Sequence, residues 1–186
     1  MQKLVLITGG ARRIGAAISR DLAKNGYDVL IHANSSISDA EALRDEICKD
    51  GIKRAGIVHA DFSQTDGAAK LIMAVQSHKL TLDRGGALDG LIHNASIYES
   101  SNFSSSKKYD EMGTRFASLE NEILLLRRMM LIHVEVPYHI TLGLVNELRR
   151  AKGCVIALTD TSLGRAWPTR TAYTTSKAGL HQLMSN

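Results

Sequence analysis

Apolar positions along the chain follow two alternating rhythms. Short runs of branched aliphatic residues are closed by glycine or a polar residue. Between them lie longer stretches in which apolar residues recur every three or four positions. The first run covers 3–8 and ends in Thr8-Gly9-Gly10. Residues 13–25 place Ile14, Ala17, Ile18 and Leu22 at helical spacing and stop at Asn25-Gly26. A second run, 27–33, leads to a helix over 39–50 with Ala42, Leu43 and Ile47 on one face. A third run, 52–60, is followed by a helix over 65–79 that turns Leu71, Ile72 and Val75 inward. The fourth run is 87–93, and the fifth is 155–159, entered through Gly153. Strand and helix alternating in this way predict an α/β fold, a doubly wound parallel sheet with helices on both faces. Its crossovers are right-handed, and its ligands belong at the carboxyl ends of the strands.

Two regions depart from the rhythm. Residues 100–120 are polar and serine-rich and read as a long loop, a functional insertion or a mobile segment. A long helix then runs over 119–150, and Pro137 kinks it or divides it in two.

Composition removes several classes of function. The 23 Lys+Arg against 19 Asp+Glu leave a charge of +4 with no basic run, so nucleic acid is not an expected partner. Aromatics at 5% are too few for a base-stacking platform. No apolar stretch reaches the roughly 18 residues of a membrane span, and the N-terminal run is too short for a signal peptide. Cys48 and Cys154, far apart, suit reduced thiols in a cytoplasmic chain. His32, His59, His78, His93, His139 and His181 lack metal-ligand spacing and read as structural, with no metal expected. Met112, Met129 and Met130 read as gap-fillers.

The candidate chemistry falls at strand ends. Thr8-Gly9-Gly10-Ala11-Arg12-Arg13-Ile14-Gly15 joins the first strand to the first helix. Glycines there allow backbone to approach a diphosphate, which the helix N-terminus then attracts. The full Gly-x-Gly-x-x-Gly is absent, since Arg13 stands where a middle glycine would. The second strand ends in Asn34-Ser35-Ser36, with no acid before Asp39 to hold a ribose 2′-hydroxyl. These residues suit a 2′-phosphate, with charge added by Arg12 or Arg13, so NADP is favoured over NAD. Asp61, followed by Phe62, is either an acceptor for the adenine amino group or the cap of the next helix. Asn94-Ala95-Ser96 closes the cofactor floor or is ordinary turn chemistry.

Tyr173 and Lys177 lie four apart on one helix face, where the ammonium is expected to lower the phenol pKa. Asp160 stands thirteen residues before Tyr173, at the exit of the fifth strand.

Taken together, Thr8-Gly9 with Gly15, Asp61, Asn94-Ala95 and Tyr173 with Lys177 resemble the short-chain dehydrogenase/reductases over essentially the whole chain. The resemblance implies a Rossmann-type fold as a single unit over 1–186, with 97–118 as an inserted loop. It implies NADP(H) held by Thr8, Gly9, Arg12, Arg13, Ile14, Gly15, Asn34, Ser35, Ser36, Asp61, Phe62, Asn94, Ala95, Ser96, Tyr173 and Lys177. It makes Tyr173 the proton donor, with Lys177 holding the ribose. Asp160 replaces the family's serine. With Arg13 and Ser96-Ile97-Tyr98, that makes the chain similar to the pteridine reductase branch, including bacterial dihydromonapterin reductases. There Arg13, Ser96, Tyr98, Asp160 and Tyr173 would contact a pterin, with Tyr98 stacking on it, Arg13 also reaching the diphosphate, and Asp160 and Tyr173 relaying the proton. The physics agrees: a flat, nitrogen-rich ring needs a stacking face, planar donors and an acid. If Asp160 is only a cap, Thr161 or Ser162 would supply the family's hydroxyl. His133 replaces an asparagine that holds a water near the lysine in the family. Members also run roughly 60 residues beyond the position of Asn186 and form homo-oligomers, commonly tetramers. The alternatives are a 3-oxoacyl or other carbonyl reductase, and a nucleotide-binding module without catalysis.

Overall fold

The computed structural model describes residues 2–49, 54–101 and 112–185. Five parallel strands form one sheet: β1 (Leu4–Ile7), β2 (Asp28–Ala33), β3 (Ala55–His59), β4 (Gly90–His93) and β5 (Cys154–Ala157), in the order β3-β2-β1-β4-β5. Leu4 pairs with Asp28, and Val5 pairs with Val29 on one side and Gly90 on the other. Alternation along β1 assigns each face its own core. Leu4 and Leu6 join Leu30, Val58 and Leu91 under α3 (Gly67–Ser77) and α6 (Val136–Gly143), which contribute Leu71, Val75 and Ile140. Val5 and Ile7 join Val29, Ile31 and Ile92 under α1 (Arg13–Lys24) and α2 (Ile37–Cys48), which contribute Ala23, Leu43 and Ile47. Because both faces are covered, β1, β2 and β4 are buried along their whole length, so they read as continuous apolar runs.

From β1 the chain winds to β2 and β3 on one side, then returns to β4 and β5 on the other. The crevice between the carboxyl ends of β1 and β4 is therefore the switch point, where such sheets hold ligands.

The expected elements shift in four places. The third helix ends at Ser77, and a separate turn of helix, α4 (Lys79–Leu82), begins where the His78 imidazole accepts from the Leu80 N–H at 3.1 Å. The fourth and fifth strands are shorter than expected, so Asp160 lies three residues past the end of β5. Of the expected loop, 102–111 lies outside the described residues, but 112–120 is helical, the start of α5 (Met112–Met130). The long helix is interrupted by a π-helical turn over Leu131–Glu135, which leads into α6 with Pro137 in its first turn. A widened turn accommodates a proline that has no N–H for the ordinary ladder. After α7 (Val145–Ala151) and β5, the last helix, α8 (Thr171–Ser185), starts two residues before Tyr173. No helix among the described residues is long and apolar enough to cross a membrane.

Candidate active site

The crevice floor is built by backbone and two polar side chains. Thr8 Oγ1 donates to the Ile92 carbonyl at 3.3 Å and accepts from the N–H groups of Asn94 and Ala95 at 3.0 and 3.1 Å. Asn94 Nδ2 donates to the carbonyls of Thr8 and Gly9, both at 2.9 Å. Buried Thr8 thus spends its hydroxyl on joining β1 to β4 and acts on the cleft by shaping it. Gly9 has φ +62°, and a Cβ there would meet the Ala95 Cα at 3.0 Å. A Cβ on Gly15 would lie 2.1 Å from the Gly9 carbonyl and 2.6 Å from Asn94 Nδ2, so only glycine lets α1 approach the strand ends this closely. The N-terminus of α1 has no capping side chain and no acid in its first turn. Its free N–H groups and dipole are left for an anion.

At the β2 and β3 ends, His32 joins three segments. Its Nδ1 accepts from the Gly9 N–H at 3.0 Å, and Nε2 lies 3.0 Å from the Ala60 carbonyl. The carbonyl only accepts, so Nε2 carries the proton. The ring stacks on Phe62 at 4.3 Å. Asn34, Ser35, Ser36 and Asp61 line a cavity with Gly9, Ala95 and Ser96. Asp61 does not cap α3, which begins at Gly67. It closes a turn instead, accepting from the Ser63 N–H at 2.9 Å, the Ser63 hydroxyl at 2.8 Å and Asn34 Nδ2 at 3.0 Å. Those bonds, Ser63's first, hold its carboxyl below the usual range. Arg12 pairs with Asp39 of α2 at 2.7 Å, so that guanidinium is shared between the cleft rim and α2.

The reacting groups converge beyond β5. The Tyr173 hydroxyl donates to Asp160 Oδ2 at 2.8 Å, and Asp160 Oδ1 accepts from the Ser162 N–H at 2.8 Å. Ser162, more than Tyr173, holds the Asp160 carboxyl below its usual range. Lys177, buried, donates from Nζ to the Leu158 carbonyl at 2.8 Å and lies 5.9 Å from the Tyr173 ring centroid. The expected acidification of Tyr173 by Lys177 is not what the geometry produces. Burial, and then the Asp160 carboxylate, raise the phenol above its ordinary value. The carboxylate is in direct hydrogen-bond contact and the ammonium is not, so the nearer charge dominates. Burial correspondingly lowers Lys177. Tyr98, 53% exposed, presents its ring edge-on to Tyr173 at 4.9 Å, with the Arg170 guanidinium 4.4 Å above it.

His133, fully buried in the π turn, connects the floor to α8. Its Nε2 accepts from the Ile97 N–H at 3.3 Å and lies 2.9 Å from Ser96 Oγ; its Nδ1 lies 2.8 Å from Ser176 Oγ. Desolvation, and for His133 also Lys177, pull the buried imidazoles of His32, His93 and His133 down to about 4, 4 and 3. Below pH about 6.5 these groups stay neutral in the folded chain and take up a proton when it unfolds. Their stabilisation is therefore complete above the ordinary histidine pKa and is lost as pH falls from about 6.5 towards 4, each contributing up to about 1.4 kcal/mol per pH unit. Urea unfolding is expected to show stability falling from pH 7 to pH 5. His93→Gln, at an imidazole whose Nε2 lies 2.9 Å from Thr141 Oγ1, is expected to flatten that slope. A slope identical in both proteins would refute the assignment.

The structure thus sets Gly9, Asn34, Ser35, Ser36, Asp61, Phe62, Ala95 and Ser96 around one cavity with Gly15 and Asn94 packed at its floor, and gathers Asp160, Tyr173, Lys177 and Tyr98 beyond β5, where Asp160 and Tyr98 line a second cavity. Arg13, at φ +48°, and Ile14, 61% exposed, stand on the open first turn of α1. Sequence reasoning missed Arg165 and Trp167, which line the cavity beside Asp160 with Tyr98, and the linking role of Ser176. The one available signal was Trp167, the sole tryptophan, between Asp160 and Tyr173. Among the described residues no group of three or more His, Cys, Asp or Glu is placed to hold a metal ion.

Comparison with known proteins bears on this geometry. Dihydromonapterin reductase of Enterobacter sp. (strain 638) is 30% identical over 185 residues, covering 98% of this chain and 65% of that protein. The 3-oxoacyl-(acyl-carrier-protein) reductase FabG of Aggregatibacter actinomycetemcomitans is 35% identical over 98 residues, 52% of this chain and 37% of the relative. The chain thus spans less than two thirds of the length of these curated relatives. The crystal structure of FolM alternative dihydrofolate reductase 1 from Brucella suis, in complex with NADP, superposes with a TM-score of 0.69 at 29% identity, covering 97% of this chain and 66% of that one. The model of the short chain dehydrogenase family matches residues 3–186, all the strands and both halves of the crevice included, and the chain belongs to that family.

Proposed function

We propose that this chain carries the cofactor cleft and proton-donating centre of an NADPH-dependent reductase of reduced pterins. The observation that carries the reading is the Tyr173 phenol donating to the Asp160 carboxylate at 2.8 Å, beside the exposed ring of Tyr98. Relatives named dihydromonapterin reductase and alternative dihydrofolate reductase support it. The cleft fits a dinucleotide: a Cβ at Gly15 would fill the cradle, the α1 N-terminus lacks a cap, and the β2 end offers Asn34, Ser35 and Ser36 without a carboxylate. Arg13, Gly15 and the α1 N–H groups would hold the diphosphate, Asp61 the adenine, and Lys177 the ribose. NADPH, when bound, supplies hydride.

The chain's own residues supply the proton. Tyr173, kept protonated by burial and by Asp160, gives its hydroxyl proton to a ring nitrogen of the substrate. The buried ammonium of Lys177 then offsets the phenolate charge. Asp160, facing the cavity lined by Tyr98, Arg165 and Trp167, passes a replacement proton from solvent to Tyr173. Tyr98, on the ring face away from Arg170, and Trp167 beside it provide apolar surface against which a flat ring packs.

A second reading, carbonyl reduction, is favoured by the FabG relative. One assay separates the two: NADPH oxidation by the full-length protein with a dihydropterin and with a β-ketoacyl thioester. The dihydropterin is expected to turn over, and Asp160→Ala to slow it by about 100-fold or more. Preference for the thioester, or full pterin turnover by Asp160→Ala, would overturn the reading.

A further inference from the structure

Building on the reductase reading, we propose that His133 is a positioning residue for the reaction, a neutral imidazole that locks the loop leaving β4 to the helix that carries Tyr173. Its proton is located by the bonds around it. The Ile97 N–H donates to Nε2, so Nε2 is bare and Nδ1 carries the hydrogen. Nδ1–H therefore donates to Ser176 Oγ at 2.8 Å, and Ser176 Oγ donates onward to the Tyr173 carbonyl at 2.8 Å. One unbroken chain of hydrogen bonds thus runs from the β4 exit to the backbone of the proton donor.

Both ends of that chain belong to the site. Ser96 and Ile97 line the same cavity as Gly9, Asn34 and Asp61, while the His133 ring packs edge-on to the Tyr173 phenol at 5.7 Å. The charged and titratable groups facing His133 are Lys177 and Tyr173, both on α8. An ammonium on that side disfavours a second proton on the imidazole, which keeps Nε2 an acceptor. With no exposed surface, His133 cannot hand a proton to substrate, and its effect is geometric. Because it sits in a π turn, the register of the helix before Pro137 turns the ring toward both partners at once.

Two conservative variants divide the lock. The amide nitrogen of asparagine stands where Nδ1 does, whereas the amide of glutamine reaches the place of Nε2. His133→Asn keeps the bond to Ser176 and releases the floor loop. It is expected to raise the NADPH Kd about tenfold, the cost of one buried hydrogen bond, with kcat changed less. His133→Gln keeps the loop and frees α8. It is expected to lower kcat about 10- to 100-fold with the NADPH Kd nearly unchanged, as a displaced donor does. If His133→Phe, which breaks both, fails to fold, Ser176→Ala severs the chain one link further on and is expected to reproduce the kcat loss.

The nitrogen-15 NMR spectrum of His133 in the full-length protein reads the tautomer without any substrate. A neutral ring protonated at Nδ1 supports the proposal, and one protonated at Nε2 overturns it. Equal effects of the Asn and Gln variants on kcat and Kd, or no effect of either, also overturn it. If the wild type reduces no dihydropterin, the reductase reading fails, while the tautomer and the NADPH affinities still decide the role of His133.

Discussion

Tyr173→Phe is expected to lower turnover by about 1,000-fold while leaving the fold and NADPH binding intact, because it removes the proton and little else. The ring remains packed on Met129 and Ala172 and keeps its edge contacts with Tyr98 and His133. Asp160 loses one hydrogen bond but retains the Ser162 N–H, so the stability cost is about 1 kcal/mol. Removing the phenol also removes the group that Asp160 would recharge, so adding Asp160→Ala to Tyr173→Phe is expected to cost little more. Steady-state rates with a dihydropterin, beside fluorescence titration of NADPH, check both halves. Activity within tenfold of wild type would mean that another group supplies the proton. Lost NADPH affinity would mean that the phenol is chiefly a cofactor ligand.

Gly15→Ala is expected to abolish cofactor binding and to destabilise the fold by about 3 kcal/mol, the upper range for forcing a methyl into packed backbone. The methyl would meet the Gly9 carbonyl at 2.1 Å, Asn94 Nδ2 at 2.6 Å and the Gly10 Cα at 2.9 Å. Two of these three atoms are backbone and the third belongs to the side chain that pins β4 to β1, so no flexible side chain can swing away. Relief requires α1 to move off the strand ends, which opens the diphosphate cradle. Gly26→Ala is the control. At φ +88° with nothing within 4 Å, it carries backbone strain of about 1 kcal/mol, far from the crevice, and NADPH affinity is expected to persist. Thermal unfolding and cofactor titration of both variants check this. Gly15→Ala that binds NADPH like wild type would show that the cradle is not where the diphosphate sits.

Much of the fold was legible because a two-sided parallel sheet writes itself as apolar runs. Each predicted strand overlaps an observed one, and the glycine turn opens α1 where the mechanism requires it. The elements that moved are those in which a local bond overrode periodicity. His78, extended and accepting from the Leu80 N–H, ends α3 at Ser77 and starts a separate turn of helix, and the long helix expected to kink or divide at Pro137 is interrupted just before it by the π turn around His133. The helical start of α5 was missed because the polar, serine-rich reading was carried on to Glu120, although Met112, Phe116 and Leu119 already recur at helical spacing.

The chain itself determined which chemistry was available: glycines at the end of β1, a polar β2 end without a carboxylate, an acid past β5, and Tyr173 four residues before Lys177. Those are properties of residue type and spacing, and local physics reads them. The tertiary structure decided how that chemistry is tuned. It buried Tyr173 and set Asp160 nearer to the phenol than Lys177, so Tyr173 becomes a stronger holder of its proton rather than a more acidic one. It also gave His133 one partner 36 residues before it in sequence and another 43 after it. Electrostatic shifts and buried hydrogen bonds depend on distances of a few ångströms between segments far apart in the chain, and only folding sets those distances.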